Sequence, residues 1–460
     1  MRNVGEETMK IIVCGAGNVG RSIVSYLILG NNDIVVIDNN AENLNALSKE
    51  FDIQPILGPA SHPETLERAG AENTDMIIAV TGIDEVNMVA CEVGSALFNI
   101  PKKIARIDSQ DFLNPLWGGL FNDKHIPVDL VISPSFAIAE EITSLIKIPG
   151  MSKVTPLLKN KVHMLSFCCK QNERLNNLSI RQFENYVPES NCKVICIIHN
   201  GSSFIPTSEY KIQNNDTLYF LVATSHIDIV LRELNMEKSA IEKLIIFGGN
   251  EISRYLATKL EKNDNILSYR IIEEDPSMAK RLAKKLKNTA VINGDMMSDV
   301  ILEEAGIDSC DAIIATLPHN NDNLLISLLA KQHNIPISLS LINGAFYNNF
   351  IENISDSTLV DGSAVIISSI LQELRKAKMR DAYSLGHNFG EIWEISLGEE
   401  NLCIGQKLKD IDMPVSCQTC AILRKDTLII PEENTVLEAN DILILYVGTK
   451  GVKKAEKLFA

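Results

Sequence analysis

Residues Lys10 to Leu27 read KIIVCGAGNVGRSIVSYL: an apolar run, then Gly15, Gly17 and Gly20 at G-x-G-x-x-G spacing, then an amphipathic segment. The pattern suits binding rather than bond breaking. The first glycine makes a sharp turn off a strand, the second lets backbone approach a pyrophosphate, and the third allows close helix–strand packing. The helix start behind them offers unpaired N–H groups and a partial positive charge to phosphate. The candidate set here is Gly15, Ala16, Gly17, Asn18, Val19 and Gly20. Asp38 closes the next apolar run, DIVVIDNN, where a carboxylate accepts hydrogen bonds from a ribose diol. A carboxylate there repels a 2′-phosphate, which favours NAD(H) or an adenosine nucleotide over NADP(H). A third run ends in AVTGIDEVN and brings Thr81, Gly82, Asp84 and Asn87 to the same edge.

Other reactive residue types lack company. Cys417 and Cys420 form a C-x-x-C, and Cys192 and Cys196 a C-x-x-x-C. A zinc site needs a second close pair or a histidine pair nearby, and none is visible. These thiols, like Cys14, Cys91 and Cys310, read as small core residues. His62 reads as the start of a helix, His125 and His319 lack a readable partner, and no H-E-x-x-H, G-x-S-x-G or Walker motif occurs. The expectation is no catalytic residue and no metal. An NAD-dependent oxidoreductase is the alternative, and it needs a positioned acid or base that the chain does not display.

The elements that must position the site repeat along the chain. ERAGAENTDMIIAVT (67–81) resembles EEAGIDSCDAIIATL (303–317), KIIVCGAGNVG resembles KLIIFGGNEIS from Lys243, and FIPTSEYKIQNNDTLYFLV (204–222) resembles IIPEENTVLEANDILILYV (429–447). One unit of roughly 230 residues therefore occurs twice, a duplication rather than a solenoid. Each unit opens with continuous apolar strands, the first at 10–14, 34–38, 76–80 and 128–132, alternating with helical segments. Ser61 is the expected cap of one such helix, with Glu64 three residues on. The fold class is α/β: two tandem Rossmann-like doubly wound parallel sheets, each followed by a connector helix and a small mixed α+β lobe. The expected boundaries are 1–132, connector 133–150, lobe 151–236, then 237–356, connector 357–387 and lobe 388–460. The first eight residues are expected to be an extension ahead of the first strand.

The second copy of the glycine turn is altered. Gly248, Gly249, Asn250, Glu251 and Ile252 occupy it, with Ser253 where the third glycine stood, and Glu273 ends the following strand. Asn250 and Ser253 replace glycines, and their Cβ atoms hinder backbone approach to phosphate. Leu317 stands for Thr81 and Asn320 for Asp84. Binding at this second site is expected to be weaker, altered or absent.

The 460 residues are 45% apolar, enough for several cores, and the net charge of −16 argues against a nucleic-acid partner. No apolar run reaches the length of a bilayer span and no secretory pattern opens the chain, so the expected compartment is the cytoplasm. The residues GAGNVG, IDNN, AGAENTDMIIAVTGIDEVNMVA and KKIARI, with FGGNEIS, IEEDP and NGDMMSDVILEEAG later, give a resemblance over essentially the whole chain. The chain resembles the TrkA family, the tandem RCK regulatory subunits of bacterial Trk-type potassium uptake systems. The resemblance implies NAD(H) contacts at Gly15 to Val19, Asp38, Thr81, Gly82 and Arg106, with Ser340 at the counterpart of Arg106. Where related proteins carry GDA, this chain has Gly58-Pro59-Ala60, and the proline removes one N–H donor. The resemblance further implies a homotetramer whose eight units form a ring. That ring would dock on the cytoplasmic face of the inner membrane against a potassium-translocating subunit of the TrkH/TrkG type. NAD(H), with ATP or ADP beside it, would act as effector rather than reactant.

Overall fold

The structure is a computed structural model. It describes residues 9–459 apart from 31, 118, 123, 170–174, 187–191, 235, 237–240, 263–267, 344–356, 376–378 and 387–388. The expected extension at 1–8 lies outside the described residues. The chain divides into two compact units, Met1–Ala137 with Val365–Ile370, and Ile138–Ala364 with Leu371–Ala460.

In the first unit, strands β1 (Lys10–Cys14), β2 (Asp33–Asp38), β3 (Gln54–Leu57), β4 (Met76–Ala79), β5 (Lys102–Arg106) and β6 (Leu130–Ile132) build one parallel sheet in the order β3-β2-β1-β4-β5-β6. This is the doubly wound order of dinucleotide-binding folds. Residues 11–14 and 34–37 are buried throughout, as expected for strands covered on both faces. The intervening helices are α1 (Asn18–Leu27), α2 (Ala41–Glu50), α3 (Pro63–Arg68), α4 (Asp84–Phe98) and the short α5 (Gln110–Leu113). The connector α6 (Pro134–Lys147) follows β6. The sequence reading placed Arg106 at a strand end, as β5 shows, and did not name β3 as a strand. It also placed a cap at Ser61. Instead Pro63 occupies the first helical position of α3, His62 precedes it, and no side chain caps the helix. Proline's fixed φ sets the start there.

The second unit begins with the first small lobe, whose strands are β7 (Lys153–Leu157), β8 (Val162–Cys168), β9 (Lys193–His199), β10 (Ser202–Phe204) and β11 (Thr217–Ala223). Helices α7 (Ile180–Tyr186) and α8 (Ile227–Glu233) complete it. A second parallel sheet follows: β12 (Lys243–Phe247), β13 (Ser268–Glu273), β14 (Thr289–Asn293), β15 (Ala312–Ala315), β16 (Ile337–Ile342) and β17 (Thr358–Asp361), in the same order as the first. Its helices are α9 (Glu251–Leu260), α10 (Pro276–Lys285), α11 (Asp299–Glu304) and α12 (Asn320–Gln332). After the second connector helix (Gly362–Arg375) comes the second lobe, with β18 (Asp381–Ser384), β19 (Glu391–Ser396), β20 (Cys417–Arg424), β21 (Thr427–Ile429) and β22 (Ile442–Val447).

Two expected boundaries move. β17 pairs with β16, so the second sheet runs past 356, and β18 pairs with β19, so the second lobe begins before 388. Both lobes are five-stranded antiparallel sheets of one topology, β10-β9-β11-β8-β7 and β21-β20-β22-β19-β18. Their hairpins turn through left-handed pairs, Asn200 and Gly201 in one, Lys425 and Asp426 in the other. The two sheets share a core in which Leu157, Met164, Tyr219 and Leu221 meet Ile392, Cys420, Ile444 and Tyr446.

Candidate functional site

The first glycine turn is built by backbone. Gly15 has a φ of +113°, and its N–H donates to the carbonyl of Ile37 at 2.7 Å. A Cβ on Gly20 would lie 1.8 Å from the Gly15 carbonyl oxygen, so only glycine lets α1 sit this close to β1. Gly17 caps α1 with no side-chain hydrogen bond, and nothing lies within 4 Å of where its Cβ would be. The first N–H groups of α1, from Asn18 and Val19 onward, therefore open onto free space. Ala16 is buried, and its N–H donates to Asp38 Oδ2 at 2.6 Å, while Asn40 N–H donates to Oδ1 at 2.7 Å. Asp38 is thus held beside the turn by two backbone N–H groups, with further lone pairs on its carboxylate.

At the end of β4 the structure separates ligand edge from framework. Asn87 is fully buried, and its amide is saturated. Oδ1 accepts from the Thr81 N–H at 2.8 Å and lies 2.7 Å from the Thr81 hydroxyl. Nδ2 donates to the carbonyls of Thr81 at 3.1 Å and Arg106 at 2.9 Å. Asn87 ties β4 to β5, its amide hydrogen bonds all made within the fold. Asp84 is also spent internally: its carboxylate accepts from the N–H groups of Asp108 at 3.1 Å and Ser109 at 2.8 Å. Thr81 hydrogen-bonds Asn87 and Ile83, and leaves exposed Gly82 as the open backbone of that edge. Arg106 ends β5 with its guanidinium on Asp108 Oδ2, Nε at 2.8 Å and Nη2 at 2.7 Å. The sequence reading did not single out Asp108. Its signal was an acid two residues beyond a strand-terminal arginine.

The second copy fills itself. The Asn250 side chain caps α9, accepting from the Ser253 N–H at 3.1 Å and donating to the Thr316 carbonyl. Ser253, at the position of Gly20, is fully buried, and its hydroxyl bonds the Gly248 carbonyl and the Thr316 hydroxyl. Glu251 puts a carboxylate in the first turn of α9, ion-paired to Arg254 at 2.5 Å. Glu273 repeats the bracing of Asp38, accepting from Gly249 N–H at 2.5 Å and Asp275 N–H at 2.8 Å. Ile252 is buried. Asn323 repeats Asn87, bonding the Leu317 N–H and the carbonyls of Leu317 and Leu341. That match makes Leu341 the counterpart of Arg106, not Ser340, which pairs beside Ala315 as Ala105 pairs beside Ala79.

The cysteines that the sequence singled out are all buried. Burial pushes Cys14, directly before the turn, far up, and Cys91 up to about 12. Cys420 is likewise raised by burial to about 12, and Cys417 is raised by burial too. Among the described residues no group of three or more metal-ligating side chains occurs, and no helix is long and apolar enough to cross a membrane.

Fold and site define a class: duplicated α/β nucleotide-binding proteins, here with one helix N-terminus open and the other occupied by its own side chains. The TrkA-N domain model matches residues 11–134 and 244–349, and the TrkA-C domain model matches 392–460. The chain is 31% identical over 451 residues to the Trk system potassium uptake protein TrkA of Azorhizobium caulinodans, spanning 98% of each. It belongs to the TrkA family. Its fold is similar to the GsuK channel bound to NAD (TM-score 0.62, 16% identity, all of this chain and 80% of that one) and to the GsuK RCK domain (TM-score 0.62, 17% identity, all of this chain and 96% of that one).

Proposed function

We propose that this chain is the nucleotide-sensing regulatory subunit of a Trk-type potassium uptake system, and that its first glycine turn holds the signal. The observation that carries the reading is the uncapped start of α1 at Gly17, with Asp38 braced beside it. NAD(H), ATP and ADP are the candidate effectors; in the GsuK channel of similar fold the bound molecule is NAD. Pyrophosphate lies on the N–H groups of Asn18 and Val19, ribose on Asp38, and Thr81, Gly82 and Arg106 border the site. Membership of an uptake family rather than a dehydrogenase family supports signal over reactant. Four chains supply eight units in a ring on the cytoplasmic face of a potassium-translocating subunit. Nucleotide shifts the ring between shapes only to the extent that it binds one better.

Calorimetric titration of NADH, NAD⁺, ATP and ADP into the full chain tests this. One site per chain is expected for at least one nucleotide. Asp38→Ala removes hydrogen bonds to a charged acceptor, an expected loss of roughly tenfold or more in affinity. Unchanged affinity in that variant rejects the site, and absence of binding by all four rejects the function.

A further inference from the structure

One carboxylate joins the first site to the connector helix. Asp108 is 8% exposed, and its two oxygens serve different elements. Oδ2 accepts from Arg106 Nε at 2.8 Å and Nη2 at 2.7 Å. Oδ1 accepts from the Ser133 hydroxyl at 3.0 Å and the Ser135 N–H at 3.2 Å, at the very start of α6. Asp84 fixes the backbone of Asp108 from α4. Arg106 sits at the carboxyl end of β5, on the edge where doubly wound sheets bind ligands.

The duplication supplies an internal control. In the second copy Leu341 replaces Arg106, and Asn343 stands where Asp108 does. Asn343 exchanges hydrogen bonds with Asn320 at 3.0 and 2.9 Å. The connector helix there is capped by the residue that directly precedes it: Asp361 Oδ1 accepts from the N–H groups of Ser363 at 3.0 Å and Ala364 at 3.1 Å. The half whose glycine turn is filled therefore caps its connector locally. The half whose turn is open caps its connector with an acid shared with Arg106.

We propose that Asp108 is a positioning residue that reports occupancy of the first site to α6. The proposal rests on nucleotide binding at that site. A phosphate entering beside α1 draws the Arg106 guanidinium toward itself. Asp108 then loses its counter-charge, and its full negative charge falls on the start of α6, where helix N–H groups and the helix dipole favour it. Occupancy thus tightens the first turn of the connector.

Hydrogen exchange on the full chain, with and without saturating NADH and, separately, ATP, reads this at the amides of Ser135 to Ala137. Bound nucleotide is expected to slow their exchange roughly two- to fivefold, the worth of a charge at a helix start. Asp108→Asn should abolish the response while calorimetry still registers binding. Arg106→Gln should show the slowed exchange without any nucleotide, and it keeps the proposal testable should Asp108→Asn fail to fold. Binding without a change at these amides, a normal response in Asp108→Asn, or unslowed exchange in Arg106→Gln overturns the relay and leaves the sensing function standing. Should NADH and ATP both fail to bind, NAD⁺ and ADP take their place in the same measurement, and failure of all four to bind removes the relay and the sensing function together.

Discussion

Asn87 and Asn323 are one residue used twice, each closing the loop after a central strand onto the neighbouring strand. Both are buried, so truncation strands several backbone groups away from water. Asn87→Ala and Asn323→Ala are each expected to lower folding stability by about 2–4 kcal/mol, read as a fall in denaturation midpoint. A larger effect on nucleotide affinity than on stability in Asn87→Ala would place it in the ligand set. The sequence showed where these polar residues fall, at the carboxyl edge, but not which way they serve. An asparagine at a sheet edge looks the same whether it meets ligand or backbone, and burial decides. Arg106 was matched to Ser340, one residue short of its true counterpart, Leu341. Only the pairing of Ala79 with Ala105, against Ala315 with Ser340, reveals the shift.

At the scale of elements, α1 and α9 begin in the same fold with opposite chemistry. Gly17 leaves its helix start open, while Asn250 and Glu251 occupy theirs. Restoring the first-copy residues by Asn250→Gly, Glu251→Asn and Ser253→Gly should reopen the second site. An Asn-to-Gly change at a helix cap costs only a few tenths of a kcal/mol, so the variant should fold. Calorimetric stoichiometry should then rise from one toward two nucleotides per chain. No change would mean that Leu341 and Leu317, in place of Arg106 and Thr81, deny binding on their own. The glycine turn and this asymmetry were legible because both depend on the presence of a Cβ. The strand β3 was not: it is an edge strand carrying Pro55 and mostly exposed side chains, and it lacks the apolar run that marked its neighbours.

At the scale of the whole molecule, the repeats predicted two of everything, and the lobes obey. Their shared core was beyond reach, since strands with alternating burial do not announce which sheet will cover them. Glu394 of the second lobe lies in that contact, buried, with Oε1 accepting from the Leu158 N–H of the first lobe at 2.8 Å. Burial pushes its carboxyl above the ordinary range, partly offset by that N–H. An acid whose folded pKa is raised binds its proton more tightly in the native state. Its charged form therefore weakens the fold at high pH, and that penalty fades as pH falls through the raised pKa toward the ordinary value. Glu394→Gln keeps an acceptor for Leu158 and removes the charge. It should raise the melting temperature at pH 8 and leave it unchanged near roughly pH 4. An equal shift at both pH values would rule out titration of Glu394 as the cause.

The joining of two copies in one polypeptide also changes what selection can reach. In a ring assembled from identical single units, any substitution appears at every position, and a residue that blocks one site blocks them all. Here Asn250, Glu251 and Ser253 are inherited by one half alone. The glycines of the first half and the side chains that occupy the second can therefore be selected independently of one another.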